Sequence, residues 1–153
     1  MSLTAGKQLL LTSAAGSSAY QISRSLRFNS GDSAYLSKNF ASAGNRKKWT
    51  WAGWMKRSNL TADNYCFGYR PTSTPYGLLS FQSSGAIALE DWVAGSRGTL
   101  AVFRDPSAWY HVVIVFDSDN ATAEDRFIIY VNSTRQALSG STLTLGVNSS
   151  INA

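Results

Sequence analysis

A chain of 153 residues and 16.6 kDa forms one ordinary domain and is too short for two large ones. Cys66 is the single cysteine, so no internal disulfide forms, and the absence of a run of about 18 apolar residues excludes a membrane-spanning helix. Charged residues are only 15%, the net charge is +5, and 23 Ser with 11 Thr supply the polar surface, a composition that suits strands and turns better than Glu- and Lys-rich helices.

Residues 1–23 read as an arm. The apolar patch at 9–11 is shorter than a secretory h-region, and residues 12–18 are small and polar, a linker composition. The arm opens a basic half: residues 1–57 carry +8, whereas residues 58–153 carry −3. Such asymmetry suits a basic segment docking on an acidic partner, with Lys7, Arg24 and Arg27 as the contacts, although plain solvation is the favoured account of the charge. The basic residues are too dispersed for a nucleic-acid surface. Only Asn45-Arg46-Lys47-Lys48 forms a cluster, in an expected loop.

From residue 24 onward the pattern is short strands between turn signals. Residues 25–29 and 34–38 are expected strands around an Asn29-Ser30-Gly31-Asp32 turn. Residues 49–57 alternate, with Trp49, Trp51, Gly53 and Met55 on one face and Thr50, Ala52, Trp54 and Lys56 on the other. Further strands are expected at 65–69, 77–82, 86–92 and 99–103, with the three prolines in between. Residues 109–116, WYHVVIVF, are apolar on both faces and read as a strand buried on both sides; 126–131 and 142–145 complete the set. No segment carries a 3.6-residue stripe. About nine short strands predict an all-β sandwich or barrel.

Several blocks together resemble a known family: Ser25-Leu26-Arg27-Phe28-Asn29 with Ala34-Tyr35-Leu36-Ser37, Lys48-Trp49-Thr50-Trp51-Ala52-Gly53-Trp54-Met55-Lys56-Arg57, Ser107-Ala108-Trp109-Tyr110-His111 running to Asp117, and residues 126–132. They are similar to the laminin-G-like, concanavalin A-like lectin domains of tailed-phage virion proteins, especially marine ones. The resemblance covers roughly residues 20–153 and implies a jelly-roll-like antiparallel sandwich over 24–153 with an extended N-terminal arm. Two departures stand out. The family places Asn-Gly after the strand matching 126–131, where this chain has Asn132-Ser133. The family also continues for two further strands beyond the position of Ala153, so the resemblance implies a sandwich lacking its last strands and completed by another segment or subunit.

Catalysis is not expected. A glycoside hydrolase needs two carboxylates flanking the scissile bond, yet Glu90 and Asp91 are adjacent and point to opposite faces of a strand. Cys66 and His111 read as core residues rather than a nucleophile and base. Asp117, Asp119 and Asn120 offer hard oxygens in a loop, so Ca²⁺ is the one cofactor considered; a plain Asx-rich turn is the favoured alternative. Trp54, Tyr69, Tyr76 and Trp92, with Trp51, could stack on a sugar ring, and Asn64, Arg70, Gln82 and Asp91 could bond its hydroxyls, while core filling is the simpler role for tryptophans on alternating strands.

What the resemblance implies is a non-enzymatic virion protein, made in the host cytoplasm: a tail fibre, appendage or surface decoration whose arm anchors it to the particle. Its partners would be other virion proteins and further copies of itself, with no nucleic acid and no membrane insertion. The rival is an adhesin that binds host polysaccharide, and a glycoside hydrolase-like enzyme comes third.

Overall fold

The computed structural model describes residues 30–32, 41–71 and 74–152. Two compact units divide the chain, Met1–Asn39 and Phe40–Ala153. Of the first, the described part is a 3-10 turn at Ser30–Asp32, on the turn signal read from the sequence. Lys7, Arg24, Arg27 and the strands expected at 25–29 and 34–38 lie outside the described residues.

The second unit is an antiparallel β-sandwich. Its described strands are β1 (Lys48–Lys56), β2 (Asn64–Tyr69), β3 (Gly77–Phe81), β4 (Ile87–Asp91), β5 (Gly95–Thr99), β6 (Trp109–Asp117), β7 (Phe127–Val131), β8 (Thr134–Arg135) and β9 (Leu138–Ser139). One sheet has the order β1-β6-β7-β8 and the other β2-β3-β4-β5-β9. The chain therefore changes sheet after β1, after β5 and after β8, which interleaves the layers as a jelly-roll-like sandwich does.

The period-two pattern sets the layers. On β1 the inward face is Trp49, Trp51, Gly53 and Met55, as the alternation predicts. The Trp51 ring lies across Gly53, where a Cβ would come within 2.9 Å of it; a side chain at 53 would push the indole out of the layer. β1 pairs with β6 from Lys48↔Asp117 to Lys56↔Trp109. Leu79, Phe81, Ile87 and Leu89 of one sheet face Val112, Ile114, Phe116, Phe127 and Ile129 of the other, all buried. Each such side chain contributes roughly 1.5–3 kcal/mol relative to leaving it in water. Trp49 stacks on Phe116 with ring centroids 5.2 Å apart.

Two buried polar groups fasten the ends. Arg57, 1% exposed, donates to the carbonyls of Asn59, Leu60, Gln82 and Phe103, tying three connections together around one guanidinium. The Asp91 carboxylate, at the end of β4, accepts from the Val93 and Ala94 N–H groups, from both hydroxyls of Ser149 and Ser150, and from Ser150 N–H. That clamp draws residues 149–151 across the end of the sandwich. Ile151 then packs over Gly77, where an added Cβ would lie 2.7 Å from its Cγ1.

Several expectations need correction. The strand expected at 99–103 is instead β5 at Gly95–Thr99. A tight turn at 92–94 brings Gly95 opposite Asp91, and Thr99 ends the strand by accepting from Ile87 N–H and donating to the Ala101 carbonyl. Leu100 and Val102 are left exposed. Residues 142–145 form no strand; the Leu143 carbonyl is met by the Arg126 guanidinium rather than by a ladder. The short β8 and β9, only two residues each, carried no periodic signal. β6 is not buried on both sides, because His111, Val113 and Val115 are only partly covered. Asn132 and Ser133 both take positive φ, 49° and 67°, so the β7–β8 hairpin still adopts the two-residue turn that Asn-Gly favours.

Candidate functional site

Tyr69, Tyr76 and Trp92, singled out for sugar stacking, lie at the same end of the second sheet. Tyr69 closes β2 opposite Gly77, Tyr76 immediately precedes β3, and Trp92 opens the β4–β5 turn. The Trp92 N–H donates to the Tyr76 carbonyl at 2.8 Å, and their rings stand 5.7 Å apart at 50°. The Arg70 guanidinium sits over the Tyr76 ring at 5.9 Å. Trp92 is 59% exposed and Val93 46%. A two-sided polar turn would suit water better; here an indole is held out on a turn whose backbone is fixed by Asp91 underneath. Among the described residues no carboxylate lies within ion-pair distance of Arg70.

The polar residues proposed with them fall elsewhere. Asp91 is 2% exposed and wholly engaged in the clamp, so it offers nothing to a ligand. The Asn64 side chain organises the β1–β2 connection through Ser58, Asn59 and Ala62. Gln82 donates to Glu90 across the outer face of the second sheet at 3.1 Å. Glu90 and Asp91 point to opposite faces, as neighbours on a strand must.

Trp54 belongs to a different surface. It stands on the outer face of the first sheet, 66% exposed, opposite His111, with ring centroids 5.1 Å apart. His111 is thus an outward residue, not a core one. Ala52, Val113 and Tyr130 form the next row across the sheet, then Thr50, Val115 and Ile128. Trp109, 58% exposed, lies beside Lys56, whose ammonium is 5.9 Å from its ring centre. The solvent face of a sandwich sheet normally alternates to polar residues. This one carries Trp54, Ala52, Val113, Val115, Ile128 and Tyr130 with Thr50 and His111 among them, and its charges sit at the strand ends and, as Arg135 opposite Tyr130, at the β8 edge. Trp109 was missed as a surface residue because an apolar run on both faces reads equally as a doubly buried strand.

Asp117, Asp119 and Asn120 form a tight turn rather than a cage. Lys48 lies 3.4 Å from Asp117 and 3.9 Å from Asp119, and Lys47 lies 3.7 Å from Asp119. Asp117 also accepts from Asp119 N–H, and Asn120 from Thr122 N–H. These oxygens serve the turn and two lysines, and among the described residues no three potential ligands converge. The cluster at 45–48 is explained by the same arrangement: the Asn45 side chain accepts from the Lys47 and Lys48 N–H groups, aiming both lysines at the turn.

Cys66 is exposed rather than buried and falls in a register shift between β2 and β3. Partial burial of its sulfur still raises the thiol above its ordinary value, partly countered by the Phe81 N–H. His111 lies on β6 in the other sheet and faces outward against Trp54, so it forms no pair with the thiol on β2.

No family model, curated protein or solved structure matches the chain. Among the described residues no helix is long and apolar enough to cross a membrane.

Proposed function

We propose that the chain is a non-enzymatic structural subunit of a tailed-phage particle, a lectin-like sandwich that associates with further copies of itself. The observation that carries this reading is the apolar outer face of the first sheet, centred on Trp54, Val113 and Tyr130. Burying Trp54 and Trp109 would each contribute roughly 2–3 kcal/mol, and exposed apolar patches of this kind mark protein contacts. In a two-fold pairing of this face the apolar rows of the two copies meet each other, while the Lys47, Lys48, Asp117 and Asp119 end is already paired within each copy. The sequence blocks resembling phage virion domains point the same way. Light scattering across a concentration series tests it. We expect a discrete oligomer that Trp54→Glu with Trp109→Glu converts to a folded monomer. A wild-type chain that stays monomeric at high concentration overturns the reading.

Tyr76, Trp92 and Arg70 favour a second reading, an adhesin for host surface polysaccharide. An exposed indole beside a second ring provides the stacking platform that a sugar's apolar face requires. The two readings use opposite sheets of the sandwich and are separately testable.

A further inference from the structure

We infer that the Arg70–Tyr76–Trp92 corner selects sugars that carry a carboxylate, the hexuronate class, over neutral ones. This inference rests on the carbohydrate-binding reading and adds the charge of its ligand. Two features of the corner argue for it. The first is that the platform is built in advance. Trp92 is fixed through its own N–H to the Tyr76 carbonyl at 2.8 Å, and the next two N–H groups of its turn are held at 3.0 Å by Asp91. Asp91 is itself locked by Ser149 and Ser150, and Arg46 donates to the Ser149 carbonyl at 2.7 Å behind it. A ring exposed on so constrained a turn loses little freedom when a ligand stacks on it, which is the advantage of preorganisation.

The second is the state of Arg70. Its guanidinium rests over Tyr76 at 5.9 Å and has no carboxylate partner among the described residues. Of the other exposed arginines, Arg135 pairs with Asp125 at 2.7 Å and Arg104 donates to the Ser84 carbonyl at 2.8 Å, so each has an acceptor of a kind that Arg70 does not meet among the described residues. A guanidinium held beside an aromatic ring can match a carboxylate through two parallel N–H···O bonds. Neither nearby acid pairs with Arg70: Asp91 faces inward and is 2% exposed, and Glu90, two residues from Trp92 on the outer face, accepts from Gln82 at 3.1 Å. A uronate ring stacked on Trp92 can direct its carboxylate to Arg70, whereas a neutral hexose gains the stacking alone.

The test titrates the full chain with oligomers of galacturonate, glucuronate and mannuronate and with their neutral hexose counterparts, following tryptophan fluorescence and heat. We expect at least one uronate oligomer to bind tenfold or more tightly than its neutral counterpart, and to weaken as salt rises. Arg70→Gln should remove that tenfold preference, weakening uronate binding more than neutral binding; Trp92→Ala should abolish both, with a single cooperative melt retained as the check that the chain still folds. Equal binding of acidic and neutral oligomers, or a preference that survives Arg70→Gln, overturns the inference while the carbohydrate reading stands. Binding of neither class overturns both.

Discussion

Ser133 takes φ of 67° in a two-residue turn, a backbone region in which a side chain costs about 1 kcal/mol. Ser133→Gly should therefore stabilise the fold by about 1 kcal/mol, read as a higher urea midpoint at unchanged slope. Asn132, at φ of 49°, should not be changed in the same way, because its side chain also accepts the His111 N–H at 2.9 Å. Asp105 illustrates a charge effect. The Ser107 hydroxyl and N–H both bond its carboxylate and hold it below the usual Asp value. A group depressed in the folded state adds stability above its unfolded value and loses it as pH falls through the folded one. Asp105→Asn should accordingly lower the thermal midpoint near neutral pH, and the gap to wild type should close as the buffer is taken below the ordinary Asp range. A gap that is constant with pH would mean the charge plays no part.

At the scale of elements, periodicity carried most of the fold. β1, β6 and β7 were legible because nine- and five-residue runs with Trp, Val, Ile and Phe leave one register with an apolar inner face. β5 was not, since Gly-Ser-Arg-Gly-Thr has no apolar residue; it is a strand because the turn before it and the β4 ladder beside it impose one. The candidate corner was legible in part. Tyr69, Tyr76 and Trp92 could be named as aromatic, but their lying at one sheet end, and the contact of Tyr76 with Trp92, depend on β2, β3 and β4 lying side by side, and the separation of Trp54 depends on which sheet β1 joins. Nothing in the sequence marks Asp91 as a clamp, because Ser149 and Ser150 reach it from 58 and 59 residues away. Removing it tests what the clamp holds. Asp91→Ala orphans buried hydroxyls and N–H groups and should cost about 3 kcal/mol. It should also open residues 149–151 to proteases before the sheets unfold, a difference that limited digestion followed by mass spectrometry would detect.

For the whole molecule, the two sheets divide the work proposed for them. The first presents an apolar face suited to another subunit, and the second ends in an aromatic corner beside Arg70, which meets no carboxylate among the described residues. The divided variants separate these roles: Trp54→Glu with Trp109→Glu should change mass without changing glycan affinity per chain, and Trp92→Ala should do the reverse. A single change that altered both would show the surfaces to be coupled.

The clamp at Asp91 also bears on how the protein is made. Arg46 and Ser149, 103 residues apart, are bonded to each other, and Ser149 closes on Asp91. A ribosome adding about 5–20 residues per second emits β1 several seconds before that partner exists. Throughout that interval Trp49, Trp51 and the rest of the inner layer emerge without the segment that seals their end. The end of the inner layer is therefore sealed only after the 103 residues that separate Arg46 from Ser149 have been made, about two thirds of the chain, and translation speed over that stretch sets how long the exposure lasts.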